Sequence, residues 1–209
     1  MGLIVLAALL ISGCGSTAPR PPEDPAARRE LDAFFLRFRQ RIQESQADSL
    51  PRYLTRESLN WIDDMRRASR TEPVTYLKDR KFHEILSILA LRVERRLNPM
   101  FDDRPVAILD KLLIQSDPVR KSLIKTEISE SRVYGEQGEI GLRKAPNVPV
   151  FHFEKEGGAW KFHFHKSLPL ILQGAESLAR QRKSTHLEQA VFILEQFADV
   201  RVLAEDLRR

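Results

Sequence analysis

Apolar positions recur at helical spacing along the first half of the chain, then switch to short β-rich blocks after Lys125. Leu31, Phe34, Phe35, Phe38 and Ile42 share one helical face, with Arg37, Arg39, Arg41 and Glu44 opposite, which predicts an amphipathic helix over about 26–47. Asp48-Ser49-Leu50-Pro51 reads as a cap with a proline just inside a new short helix. Leu59, Ile62 and Met65, flanked by Trp61, predict a helix over 55–69. Pro73 interrupts the chain. Phe82, Ile85, Leu86, Leu89, Val93 and Leu97 then predict one long helix over 75–97, stopped by Asn98-Pro99. Ile108, Leu109, Leu112 and Leu113 predict another, closed by Ser116-Asp117-Pro118 and followed by a helical turn through Ile124.

Segments 128–134, 139–142, 148–155 and 159–165 are rich in β-formers and separated by Gly135, Gly138, Asn147-Val148-Pro149 and Gly157-Gly158, the pattern of an antiparallel meander. With Gly157-Gly158 as a two-residue loop, Phe153 faces Phe162, Phe151 faces Phe164, Glu154 faces Lys161 and His152 faces His163. A slip of one residue would set each Phe against a His, so the two faces select this register and the Phe face packs inward. Ser167-Leu168-Pro169 signals a returning helix that runs through Leu178 towards Arg182. Thr185 and Glu188 have capping-box spacing, and the final helix continues through Leu187, Val191, Leu194, Ala198 and Val202. The fold class is α+β: N-terminal helices packed on a small curved antiparallel sheet, then C-terminal helices.

The chain has 209 residues, 42% hydrophobic and 30% charged, which is material for one core rather than two full domains and excludes disorder for most of its length. Its single Cys excludes a disulfide framework and a Cys-based zinc cluster. No apolar run approaches the ~18 residues of a spanning helix, which excludes a polytopic membrane protein. Lys+Arg 34 against Asp+Glu 29 gives net charge +5. No nucleic-acid-binding motif accompanies that charge, so no nucleic-acid partner is expected.

Residues 3–11 read LIVLAALLI, within the ~7–15 residues of a signal-peptide apolar region, and Ile11-Ser12-Gly13-Cys14 follows. A branched apolar residue, two small residues and a Cys resemble the lipobox of the bacterial lipoprotein family. The resemblance implies cleavage before Cys14 and a diacylglycerol, with palmitate-type chains, on its sulfur. Gly15 after the Cys implies export to the outer membrane, facing the periplasm. Pro19, Pro21, Pro22 and Pro25, interleaved with charge, read as an extended tether. The expected organisation is a signal peptide over 1–13, a lipidated tether over 14–27, a globular domain over 28–183 and an amphipathic C-terminal helix over 184–209. Lipid rather than charge dominates such attachment, because each buried methylene contributes ~0.8 kcal/mol.

Helices followed by a meander ending in Lys155-Glu156-Gly157-Gly158-Ala159-Trp160-Lys161-Phe162 resemble the NTF2-like superfamily. The resemblance implies a cone of sheet and helices whose mouth either binds small molecules or is plugged by side chains. Three histidines are the sharpest candidates for chemistry. His163 and His165 share a strand face by period two and His152 lies across from His163, so the three can hold zinc with a position open for water. The plain alternative is three half-exposed histidines on the solvent side of the sheet. Asp63 and Asp64, beside Trp61 on one helix, are the carboxylates placed for a binding or acid–base role, or else they belong to a solvated helix face. No G-x-S-x-G, H-E-x-x-H or glycine-rich phosphate loop is present. The expectation is a membrane-anchored envelope lipoprotein that binds or assembles without catalysis, carrying no cofactor beyond its lipid and meeting an envelope protein partner. The alternative is a small enzyme with a pocket in the cone, metal-assisted at the histidines.

Overall fold

The computed structural model of the chain describes residues 24–101, 103–115, 117–125, 127–198 and 200–207. Helix α1 (Pro25–Gln43) opens inside the stretch expected as tether, because the Asp24 carboxylate accepts from the N–H groups of Ala26 and Ala27 at 2.9 and 3.2 Å. Pro25 sits in the first turn, where its missing N–H costs nothing. The whole stripe Leu31, Phe34, Phe35, Phe38 and Ile42 is buried. A 3-10 segment (Ala47–Tyr53) replaces the expected capped helix at Pro51; no side chain caps it. Helix α2 (Arg56–Thr71) follows from Thr55, whose hydroxyl accepts from the Ser58 N–H at 3.1 Å.

The helix expected over 75–97 is two. A single turn, α3 (Val74–Leu77), is separated by Lys78, Asp79, Arg80 and Lys81 from α4 (Phe82–Leu97), whose start is capped by Glu84 accepting from the Lys81 N–H at 3.1 Å. The helix α5 (Pro105–Leu109) widens into a π-helical turn (Asp110–Gln115). That wider turn moves the stripe by one residue: Ile108, Leu109, Leu113 and Ile114 are buried, and Leu112, expected inside, is half-buried. Helix α6 (Asp117–Lys125) completes this half.

Strands β1 (Ile128–Tyr134), β2 (Gln137–Leu142), β3 (Ala145–Glu156) and β4 (Ala159–Phe162) form one antiparallel sheet in sequence order. The fold is thus α+β. The hairpin register is as expected for Phe153 opposite Phe162 and Glu154 opposite Lys161, whereas the expected pairs Phe151–Phe164 and His152–His163 fall beyond the end of β4. Gly157 and Gly158 turn it with φ of 58° and 78°, which a two-residue loop of this twist requires and a glycine meets without strain.

β4 is shorter than expected, and this changes the chemistry. The chain leaves the sheet after Phe162 and enters α7 (Phe164–Ile171), so Phe164 and His165 are helical rather than strand residues. Pro169 lies inside α7 instead of opening it, and α8 (Gln173–Gln181) begins after Leu172. Thr185 and Glu188 form the expected capping box on α9 (His186–Phe197). That helix does not run to the end of the chain: residues 200–207 continue as irregular structure and turn.

The core has two aromatic and aliphatic walls. Phe34, Phe35 and Phe38 of α1 meet Phe151, Phe153 and Phe162 of the sheet, with ring centroids 5.2 Å apart for Phe35 and Phe151 and 5.0 Å for Phe38 and Phe162. On the other side α2, α4 and α9 pack together, and Ala190 and Leu194 of α9 join the same continuous core. Arg92 and Arg96 of α4 hold the chain end. Arg96 donates from Nε to both carboxylate oxygens of buried Asp206 at 3.1 and 3.0 Å, and Arg92 donates to the Asp206 carbonyl at 3.1 Å. Among the described residues no helix is long and apolar enough to cross a membrane.

Candidate functional site

The first turn of α2 is stitched to the β4–α7 junction by a run of hydrogen bonds. Thr55 N–H donates to the Phe162 carbonyl at 3.1 Å, and Phe164 N–H donates to the Ser58 hydroxyl at 2.9 Å. The Thr55 and Ser58 hydroxyls bond each other at 2.8 Å, and Arg56 N–H donates to Glu156 at 2.9 Å. These ties bring Glu57, near the start of α2, against His163, the cap of α7, and His165 in its first turn. The Glu57 carboxylate straddles the two rings, with Oε2 at 3.1 Å from His163 Nε2 and Oε1 at 3.0 Å from His165 Nε2. The rings stand edge to face with centroids 4.6 Å apart. Glu154 reaches the same corner, 3.6 Å from His163 Nε2.

The three donor atoms of Glu57, His163 and His165 lie within 4.8 Å of one another. His152 is not part of this group. It occupies the adjacent β3 position as expected, its carbonyl accepting from the His163 N–H at 2.8 Å, but it lies opposite Glu139 on β2. The predicted three-histidine set is therefore replaced by a Glu-His-His set. Its cause is the early end of β4: once the chain turns helical, period two no longer governs where His165 points. Glu57 carries no sequence signal for this role, since only the packing of α2 on α7 brings it there.

Burial sets the electrostatics. His163 is 2% exposed, and its pKa is pushed down to about 4, first by burial and then by the charges of Lys166 and His165, against the pull of Glu57. His165 lies below the ordinary histidine value, chiefly from burial, with Glu57 opposing. His152 is lowered too, again mainly by burial. The rings are neutral at pH 7 and each presents a lone pair. A neutral imidazole has one donor and one acceptor nitrogen. On His163 both are buried without a hydrogen-bond partner, since Glu57 is near Nε2 but out of line, and His165 Nδ1 is also unpaired.

Trp61, Asp63 and Asp64 do not converge. Trp61 is buried at the back of the histidine corner, its ring 5.8 Å from Phe164 and 6.0 Å from His83. Asp63 and Asp64 lie on the outer face of α2, where Asp63 accepts from Arg66 Nε at 2.9 Å and Asp64 pairs with Arg67. Cys14 lies outside the described residues. A separate surface groove of about 510 Å³ has Phe34, Tyr53 and Trp160 beside Arg37, Arg52 and Lys161.

No protein-family model matches the chain. Neither the curated proteins nor the solved structures contain a match to it.

Proposed function

We propose that the chain is a lipid-anchored envelope protein, tethered through Cys14 to the outer membrane on its periplasmic side, whose folded domain binds a partner without catalysing a reaction. The apolar run before Ile11-Ser12-Gly13-Cys14 supports the address. The observation that carries binding over catalysis is the filled interior. Where a cone of helix and sheet would open, Phe34, Phe35 and Phe38 interlock with Phe151, Phe153 and Phe162, the rings spaced 5–6.5 Å apart in stacked, tilted and edge-on pairs. An outer groove, lined by Phe34, Tyr53 and Trp160 with Arg37, Arg52, Lys161 and Glu30, supports contact with a partner.

The experiment is metabolic labelling with palmitate alongside membrane fractionation of the wild type and Cys14→Ser. Label in the wild type alone, with Cys14→Ser released from membranes, is the expected result. An unlabelled wild type, or an unchanged distribution of Cys14→Ser, overturns the reading.

A further inference from the structure

We propose that Glu57, His163 and His165 form a site for one divalent cation of zinc's class, with at least one coordination position left to solvent. The site does not depend on the membrane anchor, and its test is separate from that of the anchor.

The donor chemistry is selective. Two imidazoles and a carboxylate suit zinc and its borderline neighbours, whereas calcium and magnesium take oxygen donors. Spacing agrees with it. Zinc bonds to nitrogen and oxygen of about 2.0–2.1 Å arranged tetrahedrally place neighbouring donors about 3.3 Å apart. One donor atom from each of Glu57, His163 and His165 lies within 4.8 Å of the others, so a cation that enters draws the three inward by side-chain rotation. The histidines are held in place because the junction that carries them is tied to α2 by the backbone of Thr55, Phe162 and Phe164 and the hydroxyls of Thr55 and Ser58.

The second observation is the orphaned ring. Leaving a buried polar atom unpaired is costly, because it has given up its water without a replacement. His163 is almost wholly buried, yet Nε2, beside the Glu57 carboxylate, has no partner of hydrogen-bonding geometry. A structural histidine at such a position would be expected to find a hydroxyl or a carbonyl. A cation shared with Glu57 satisfies that lone pair directly. Access is available because Glu57 is 61% exposed and the half-exposed Glu154 carboxylate stands 3.6 Å from the same nitrogen, adding a second negative charge to the corner. Lys166 and Lys81 are the lysines whose charges act on the two rings, and the two carboxylates offset them.

The test uses the full chain, purified in detergent and stripped with a chelator, then titrated with Co²⁺ as a visible probe and challenged with Zn²⁺. One Co²⁺ per chain with the absorption of a low-coordinate site, displaced by Zn²⁺, is expected. Affinity falls roughly tenfold or more in Glu57→Gln and in His165→Ala, and stays unchanged in His152→Ala. Glu57→Gln alters an exposed side chain and keeps the fold, which circular dichroism checks, so it decides the matter if His165→Ala unfolds. Absence of stoichiometric binding, wild-type affinity in Glu57→Gln, or an equal loss in His152→Ala overturns the proposal.

Discussion

The two faces of the β3–β4 hairpin are built from alternate residues of the same strands and end in opposite physical states. On one face Phe151, Phe153 and Phe162 are almost completely buried and meet α1 in a dry, fully packed wall. On the other, Glu154 and Lys161 are partly exposed, and the strand's continuation delivers His163 into a buried corner where its ring nitrogens find no partner. Packing alone satisfies the first face, since apolar atoms ask only for neighbours. Polar atoms ask for aligned partners, so the second face is left with an unmet demand. The filled side is satisfied by packing, and the unfilled side holds the unpaired nitrogens on which the proposed cation site rests.

Truncating the dry wall tests the first half of that contrast most severely. Phe38→Ala removes a ring packed between Tyr53 and Phe162, and unfolding in urea is expected to show a loss of ~3–5 kcal/mol. A loss below 1 kcal/mol, on the order of a surface change, would mean the wall is loosely packed.

The polar corner is reached by pH. An unfolded histidine takes up its proton near 6.5, whereas folded His163 does so only at about 4, so the unfolded state binds more protons between those values. Burying the neutral His163 ring therefore carries no protonation cost above pH 6.5, and stability is lost as pH falls from 6.5 towards 4, where the unfolded state gains the proton that the folded state resists. Denaturation at pH 7 and pH 5 should differ by on the order of 1–3 kcal/mol, and the difference should shrink in His163→Gln. Stability that rises on acidification would contradict a buried neutral ring.

The tie between the two regions is Thr55, which caps α2 and bonds the Ser58 hydroxyl that receives Phe164. Thr55→Ala should cost about 1–2 kcal/mol. It should also weaken binding of Co²⁺, because the histidine corner loses its positioning. The smallest effect belongs to Asp63→Asn and Asp64→Asn, whose pairs with Arg66 and Arg67 are solvent-facing and are expected to leave the thermal midpoint unchanged.

Much of the dry face was legible in the residues, because period two and a Gly-Gly loop admit one register that keeps every Phe together. α1 was equally plain, though its start was placed a residue late and its end too far on, past Glu44, where no Pro or Gly marks the stop. The interruption between α3 and α4 left no trace either, since Lys78, Asp79, Arg80 and Lys81 are tolerable helix residues and only tertiary packing ends the turn there. Leu112 was misplaced by the π-turn, which shifts a stripe without changing its composition. At the candidate site, His163 and His165 were readable as a pair, but their third partner was not. His152 lay on the right strand and the wrong neighbour, while Glu57 arrives from a distant helix that sequence spacing does not connect to β4.

An anomalous difference map collected at the zinc edge from crystals grown with Zn²⁺ addresses the contrast between the two faces most directly. One strong peak is expected about 2.0–2.2 Å from His163 Nε2, His165 Nε2 and a Glu57 oxygen, with the phenylalanine wall unchanged. A map with no peak at that corner, or with zinc held by His152 instead, would contradict the proposed site.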